Sequence, residues 1–343
     1  MRLWMLFLAV LADAQVNTWT ELSPGGSLPT ARHKQGMAYS YADDSLYVYG
    51  GHNGGSSCFD DLQRYNRSAN TWSELSPGGS PPSARCEHDM VWSDADEAIY
   101  LFAGYIDETT SNVNDLYRYS PSANAWVLMN PGGSPPSARM SCGMAYSHAG
   151  DAIYVFAGYN YPAGRLDDFY RYSPSADSWA LLAPGSGPSA RNSPGMACSH
   201  FDDLVYVFGG YGGASNPQLG DFFQYDHSAN QWTELSPSGT LPSPRYEHTM
   251  VWSQADAAIY VFGGFGSDGV LNDLHRYDPL ENEWTLLSPG GSVPPVRYQH
   301  SMVSADVFYM FGGSTWSGGG YKNDLYIYEP QTITTTTQTW TTQ

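Results

Sequence analysis

Arginine, aspartate, histidine, methionine and cysteine recur along the 343 residues at spacings that could assemble chemistry. Arg32, Arg85, Arg139, Arg191, Arg245 and Arg297 are matched by an equally regular series of aspartates, Asp61, Asp115, Asp168, Asp221, Asp273 and Asp324. Guanidinium groups at equivalent places could form an anion-binding ring. The matching carboxylates favour one internal ion pair or hydrogen-bonded network per unit. A methionine stands five residues after each arginine, at Met37, Met90, Met144, Met196, Met250 and Met302. Thioethers in a ring could hold a soft metal, but filling irregular gaps is the commoner use of methionine. Histidine lies three residues after the arginine at His88, His248 and His300, where the other units carry Gln35, Cys142 and Pro194. A metal needs ligands converging within ~2 Å of one ion, so hydrogen bonding is the expected use of these interrupted histidines.

Catalytic constellations are missing. The sequence has no Gly-x-Ser-x-Gly elbow, no His-Glu-x-x-His and no phosphate-cradling loop. No catalytic residue, metal or cofactor is expected. Acidic stretches such as Asp94-Ala95-Asp96-Glu97 and Asp202-Asp203 lack the alternating oxygen ligands of a calcium loop and are expected to form a solvated acidic face.

The elements that position these columns are repeats. The segment from Thr71 to Ser80 nearly reproduces Thr18 to Ser27, and variants recur around Trp126, Trp179, Trp232 and Trp284, with successive tryptophans 53, 54, 53, 53 and 52 residues apart. Each unit also has an alternating apolar run ending in a small pair (Gly50-Gly51, Ala103-Gly104, Ala157-Gly158, Gly209-Gly210, Gly263-Gly264, Gly312-Gly313) and an Asp-Leu or Asp-Phe run ending in tyrosine. Period 2 then gives four strands per unit: from Arg to Met, into the small pair, from Asp to Tyr, and around Trp. Four strands in ~50 residues make a propeller blade. These residues resemble the kelch repeat family over residues 15–330, which implies an all-β, six-bladed propeller of four antiparallel strands per blade. In such a ring blades 2 and 5 are opposed, which separates His88 from His248. Ser-Pro-Gly-Gly after the Trp19, Trp72 and Trp284 strands suits a type II turn with Gly at its third position.

The sixth unit has no tryptophan seven residues after its Tyr328. The strand around Trp19 is therefore expected to complete the last blade and close the ring. Threonine-rich residues 331–343 read as a tail or stalk.

The units differ most in the loop after the small pair. Strand alternation places these loops on one face, and Tyr105, Asp107, Tyr159, Tyr161, Tyr211, Phe265 and Trp316 are the candidate ligand-binding residues there. Aromatic rings with nearby hydrogen-bonding groups suit a protein or carbohydrate ligand. Kelch relatives that are copper radical oxidases or plant iron-dependent specifier proteins carry metal or Tyr-Cys arrangements without a counterpart here. A metal-dependent enzyme or enzyme modifier is the alternative reading.

Acidic residues outnumber basic ones 34 to 15, which disfavours a nucleic-acid partner. No apolar run reaches the ~18 to 20 residues of a membrane span. Arg2, the apolar stretch Leu3 to Leu11 and Ala12-Asp13-Ala14 resemble a secretory signal cleaved after Ala14. A secreted, monomeric binding or scaffold module is expected, or a cytoplasmic adaptor if that leader is misread. Export would make Asn66-Arg67-Ser68 a glycosylation acceptor and expose Cys58, Cys86, Cys142 and Cys198 to oxidation. Cys58 and Cys86 fall on one face of adjacent blades and are expected to form a disulfide. Cys142 and Cys198 are expected to stay reduced between blades.

Overall fold

The computed structural model describes residues 17–55, 57–215, 217–316 and 320–330. The expected leader over 1–14 and the segment 331–343, with Trp340, lie outside them. All regular elements among the described residues are strands, arranged as six four-stranded blades around a central channel. In blade 2 the strands run, from channel to rim, Asp89–Ser93, Ala98–Phe102, Leu116–Ser120 and Ala125–Leu128, each antiparallel to the next.

The innermost strand does not run from the arginine to the methionine. It begins four residues beyond the arginine and passes the methionine, as Gly36–Ser40 does in blade 1. The residue two after each arginine is left-handed, as at Lys34 (φ 60) and Glu87 (φ 59), and cannot continue a strand. The methionines stay 4 to 8% exposed. Met90, for example, packs with Tyr47 and Tyr49 of blade 1 and with Trp126, so this column fills the seams between blades.

The tryptophans hold each outermost strand in two directions. Trp126 lies 5.0 Å from Tyr119 of its own blade and 5.6 Å from Tyr49 of the preceding one. Trp179 repeats this against Tyr172 and Phe102 at 5.1 Å each. The Pro-Gly-Gly turns differ from the expected type II geometry, because positive φ falls on the second glycine, for instance Gly26 (φ 81). Gly25 and Gly26 instead form a short parallel bridge to Thr71 and Trp72 of the next outermost strand. A Cβ on Gly26 would meet the Trp72 carbonyl oxygen at 2.1 Å, so that approach requires glycine.

Thr18–Leu22 closes the ring. It pairs antiparallel with Leu325–Glu329, with Trp19 opposite Tyr328, the register that Trp72 and Tyr65 share within blade 1. The tyrosine hydroxyl that donates to Asn70 in blade 1 at 2.9 Å donates in blade 6 from Tyr328 to Asn17 at 2.8 Å, across the chain ends. A second closure surrounds the channel. The left-handed residues form a circular belt of backbone hydrogen bonds, from the amides of Lys34, Glu87, Ser141, Ser193, Glu247 and Gln299 to the carbonyls of Gln299, Lys34, Glu87, Ser141, Ser193 and Glu247 respectively.

Trp19 is 1% exposed. Trp19→Ala is expected to destabilise the fold by about 3–5 kcal/mol, as much as Trp126→Ala within blade 2, in denaturant unfolding. A loss near zero would show that this strand does not close the ring.

Candidate functional site

The repeated arginines are fully buried and committed to the framework. Arg139 donates from its guanidinium to Asp168 Oδ1 and Oδ2 at 2.6 and 2.9 Å, to the Ala157 carbonyl at 2.9 Å and, through Nε, to the Ser137 carbonyl at 3.0 Å. Arg32, Arg85, Arg191, Arg245 and Arg297 repeat the bidentate pair with Asp61, Asp115, Asp221, Asp273 and Asp324. These are internal pairs, one per blade, and no anion-binding ring forms.

The loops after the small pairs do share one face, but the candidate residues there divide into sectors. Across blades 3 to 6 the structure brings Tyr159, Tyr211, Phe265 and Trp316 into one arc. The Arg165 guanidinium lies 5.8 Å from the Tyr159 ring and 4.5 Å from that of Tyr211. Tyr211 is 5.1 Å from Tyr246, Tyr246 is 5.5 Å from Phe265, and Phe265 is 6.0 Å from Tyr298 and 5.8 Å from Trp316. Arg165, Tyr246 and Tyr298 were missed by sequence reasoning. Tyr246 and Tyr298 directly follow Arg245 and Arg297, at a place that varies among His33, Cys86, Met140 and Asn192 elsewhere. That variation beside an invariant residue was the signal for them. Burial raises the phenol pKa of both.

Tyr161 projects from the blade 3 loop at 74% exposure and Trp316 from blade 6 at 70%. Tyr105 belongs to another sector, where its backbone pairs with Cys86. Asp107 Oδ2 accepts the Cys58 amide at 2.6 Å and ties the blade 1 loop to blade 2. Blade 1 adds a separate cluster in which His33 stacks on Tyr321 at 4.5 Å.

Cys58 and Cys86 are buried thiols. They do face each other, and a hydrogen bond with Cys86 together with burial raises the Cys58 pKa. Cys142 and Cys198 are buried free thiols in the seams between blades 2 and 3 and blades 3 and 4. Asn66 ends the third strand of blade 1, where its Oδ1 accepts from Ser68 Oγ and the Ala69 amide at 2.9 and 2.8 Å. In the acidic hairpins Asp94, Glu97 and Asp202 are exposed, whereas Asp96 and Asp203 turn inward. Asp96 accepts the Tyr100 hydroxyl at 2.6 Å, and buried Asp203 accepts Ser147 Oγ at 2.6 Å.

At the channel mouth on the loop face, Gln299 donates to Glu247 at 2.6 Å and Ser141 to Glu87. Burial opposes the Lys34 charge, but the adjacent Glu87 outweighs it and raises that pKa. Burial pushes Glu247 up to about 7, with Glu87 adding to the effect. His88 and His248 are pushed down to about 3 by burial and then by the neighbouring arginines. His88 Nε2 accepts the Gly36 amide at 3.2 Å, and His300 Nε2 bonds Thr249 Oγ1 at 2.9 Å. Among the described residues, no three His, Cys, Asp or Glu side chains are placed to hold a metal ion.

A closed propeller whose repeated Arg and Asp charges are spent inside the blades, and whose varied aromatic residues lie on one face, defines a binding scaffold. Residues 7–210 and 195–343 match the KLHDC2/KLHL20/DRC7 Kelch-repeats domain, and the chain belongs to the kelch-repeat family. It is 29% identical to the leucine-zipper-like transcriptional regulator 1 homolog of Drosophila melanogaster, over 91% of this chain and 32% of that protein. It is 30% identical to the Homo sapiens leucine-zipper-like transcriptional regulator 1, over 82% of this chain and 34% of that protein. With Homo sapiens Kelch domain-containing protein 3 it shares 26% identity, over 77% of this chain and 73% of that protein. The chain thus spans about a third of the length of the leucine-zipper-like regulators.

Neutral His248 carries a pH signature. Between its unfolded value of 6.5 and its folded value of about 3, the unfolded chain binds a proton that the folded chain excludes. That contribution is present above pH 6.5 and is lost as pH falls. His248→Gln, the residue blade 1 carries as Gln35, is expected to remove one proton from the uptake on unfolding and flatten the stability curve across that window. Chemical denaturation at stepped pH measures this, and an unchanged slope would contradict the buried neutral state. Asp89 and Glu247, both raised to about 7, act with the opposite sign in both proteins and cancel in the comparison.

Proposed function

We propose that this chain is a secreted, non-catalytic binding scaffold that recognises a protein or glycan ligand through the aromatic arc of blades 3 to 6. The observation that carries this reading is the continuity of the arc, from Tyr159 through Arg165, Tyr211, Tyr246 and Phe265 to Trp316. Rigid rings with polar tips bind with little conformational entropy to lose, and the small glycine-containing turns beneath them hold the loops without occupying the face. Export is supported by the charged and apolar N-terminal pattern of Arg2 and Leu3 to Leu11 before Ala12-Asp13-Ala14. In an oxidising compartment the facing thiols of Cys58 and Cys86 would join, and Asn66 would accept a glycan.

The mature secreted protein is expected to begin at Gln15, by intact mass, and retention of Met1 to Ala14 would overturn export. Peptide mapping under non-reducing conditions is expected to recover Cys58 linked to Cys86, with Cys142 and Cys198 as thiols.

A combined glycan and peptide array probed with the purified protein tests the face. Trp316→Ala and Tyr211→Ala are each expected to weaken any captured ligand by about 1–3 kcal/mol, while Trp316→Ala leaves the melting temperature unchanged because that ring is exposed. Ligands that bind both variants as well as the parent would locate recognition elsewhere.

A further inference from the structure

The channel beneath the loop-face mouth encloses a cavity of about 320 Å³, within the range of small-molecule sites. Its walls combine the edges of the innermost strands with apolar side chains and the rings of Trp92, Tyr146 and Trp252. The residue four after each arginine differs around the ring: Gly36, Asp89, Gly143, Gly195, Thr249 and Ser301. Among the described residues Asp89 is thus the one carboxylate lining the cavity, and no arginine or lysine lines it. Its carboxylate accepts the backbone amides of Met90, at 2.8 Å to Oδ1, and of Met144, and no described side chain bonds it. The hydroxyls at the same level are engaged elsewhere, Thr249 with His300 at 2.9 Å and Ser301 with the Gln35 carbonyl at 2.8 Å.

The surroundings supply no counter-charge. Lys34, above the cavity, is engaged by Glu87, and His248 and His300 are held neutral by burial and by Arg245 and Arg297. At the opposite mouth a second cavity shares Tyr41, His148 and His200 with the first and adds Asp94 and Asp306. Asp94 pairs there with His148, and Asp306 pairs with Arg67 at 2.6 Å. Carboxylates thus stand at that approach, aromatic residues contribute to the wall, and a carboxylate held by backbone amides alone sits within. Burial pushes the Asp89 carboxyl up to about 7, the direction expected of an anion without its partner.

We propose that the channel is a second binding site, distinct from the aromatic arc, that takes a small organic ammonium ion on the Asp89 carboxylate, with its apolar substituent against the channel wall. A carboxylate beside apolar side chains favours a cation with apolar substituents over a bare hydrated ion. A neutral molecule of the same shape gains only the apolar contact.

Titration of the full chain with n-butylammonium and with 1-butanol, by calorimetry and by NMR of carbon-13-labelled methionine methyl groups, tests the site. The ammonium ion is expected to bind at least about tenfold more tightly than the alcohol and to shift the Met90 and Met144 methyl signals. Asp89→Asn, and Asp89→Thr with the residue of blade 5, are expected to abolish that preference while the alcohol binds as before. Equal binding of ammonium and alcohol, no binding of either, or shifts confined to methionines outside the channel would each overturn the proposal. The comparison on the unmodified chain decides the matter even if a variant fails to fold.

Discussion

The buried arginine of each blade is the constraint on which the rest of the structure depends. Its side chain joins the small pair and the third strand of its own blade, as Arg85 does through the Ala103 carbonyl at 3.0 Å and Asp115 at 2.6 Å. Its backbone carbonyl joins the blade before: Gly51 donates to Arg85, Gly104 to Arg139, Gly158 to Arg191, and Gly313 to Arg32 across the closure, each at 2.9 Å. One residue thus fixes positions both within and between blades. Removing a single partner of a buried, hydrogen-bonded charge costs about 3–5 kcal/mol, so neither the arginine nor its aspartate tolerates loss. The small pair follows from the same geometry, because a Cβ on Gly50 would meet the Arg85 carbonyl oxygen at 2.4 Å.

With charge, glycine and tryptophan columns committed to the ring, variation is confined to places that bear no such load. These are the loops after the small pair, the residue after each arginine, and the channel-lining positions two, three and four residues beyond it. The aromatic arc is built from the first two kinds, and the channel mouth and the Asp89 site from the last. Function in this architecture therefore lies in the differences between blades. Much of the negative charge is internal or paired, as with the framework aspartates and with Asp43, Asp256 and Asp306 on Arg64, Arg276 and Arg67. The arc itself is mostly neutral, apart from Arg165, which leaves aromatic contact as its main means of recognition.

Closure is made three times over, by the Trp19 strand, by the Gly313 to Arg32 bond and by the belt around the channel. A ring of blades that each touch only their neighbours would open at its weakest seam. Contacts joining first and last blades make that seam equivalent to the others, and the Tyr328 to Asn17 bond shows the equivalence in atomic detail.

The amino-acid sequence by itself determined the all-β class, the number of blades, the strand that closes them and the face that carries the aromatics, because each rests on a local pattern repeated six times. The pairing of arginine with aspartate and the packing of methionine were legible for the same reason: a column that never varies has a structural partner that never varies. Only the tertiary structure decided what depends on residues from different blades meeting in space. Asp107 met the Cys58 amide, Tyr246 and Tyr298 filled the gaps in the arc, and the second glycine of each Pro-Gly-Gly met the next tryptophan. Asp89 became the one carboxylate lining the inner cavity only because the other blades place Gly, Thr or Ser beside it. Periodicity reports what a residue shares with its equivalents, whereas a site depends on neighbours that are not equivalent.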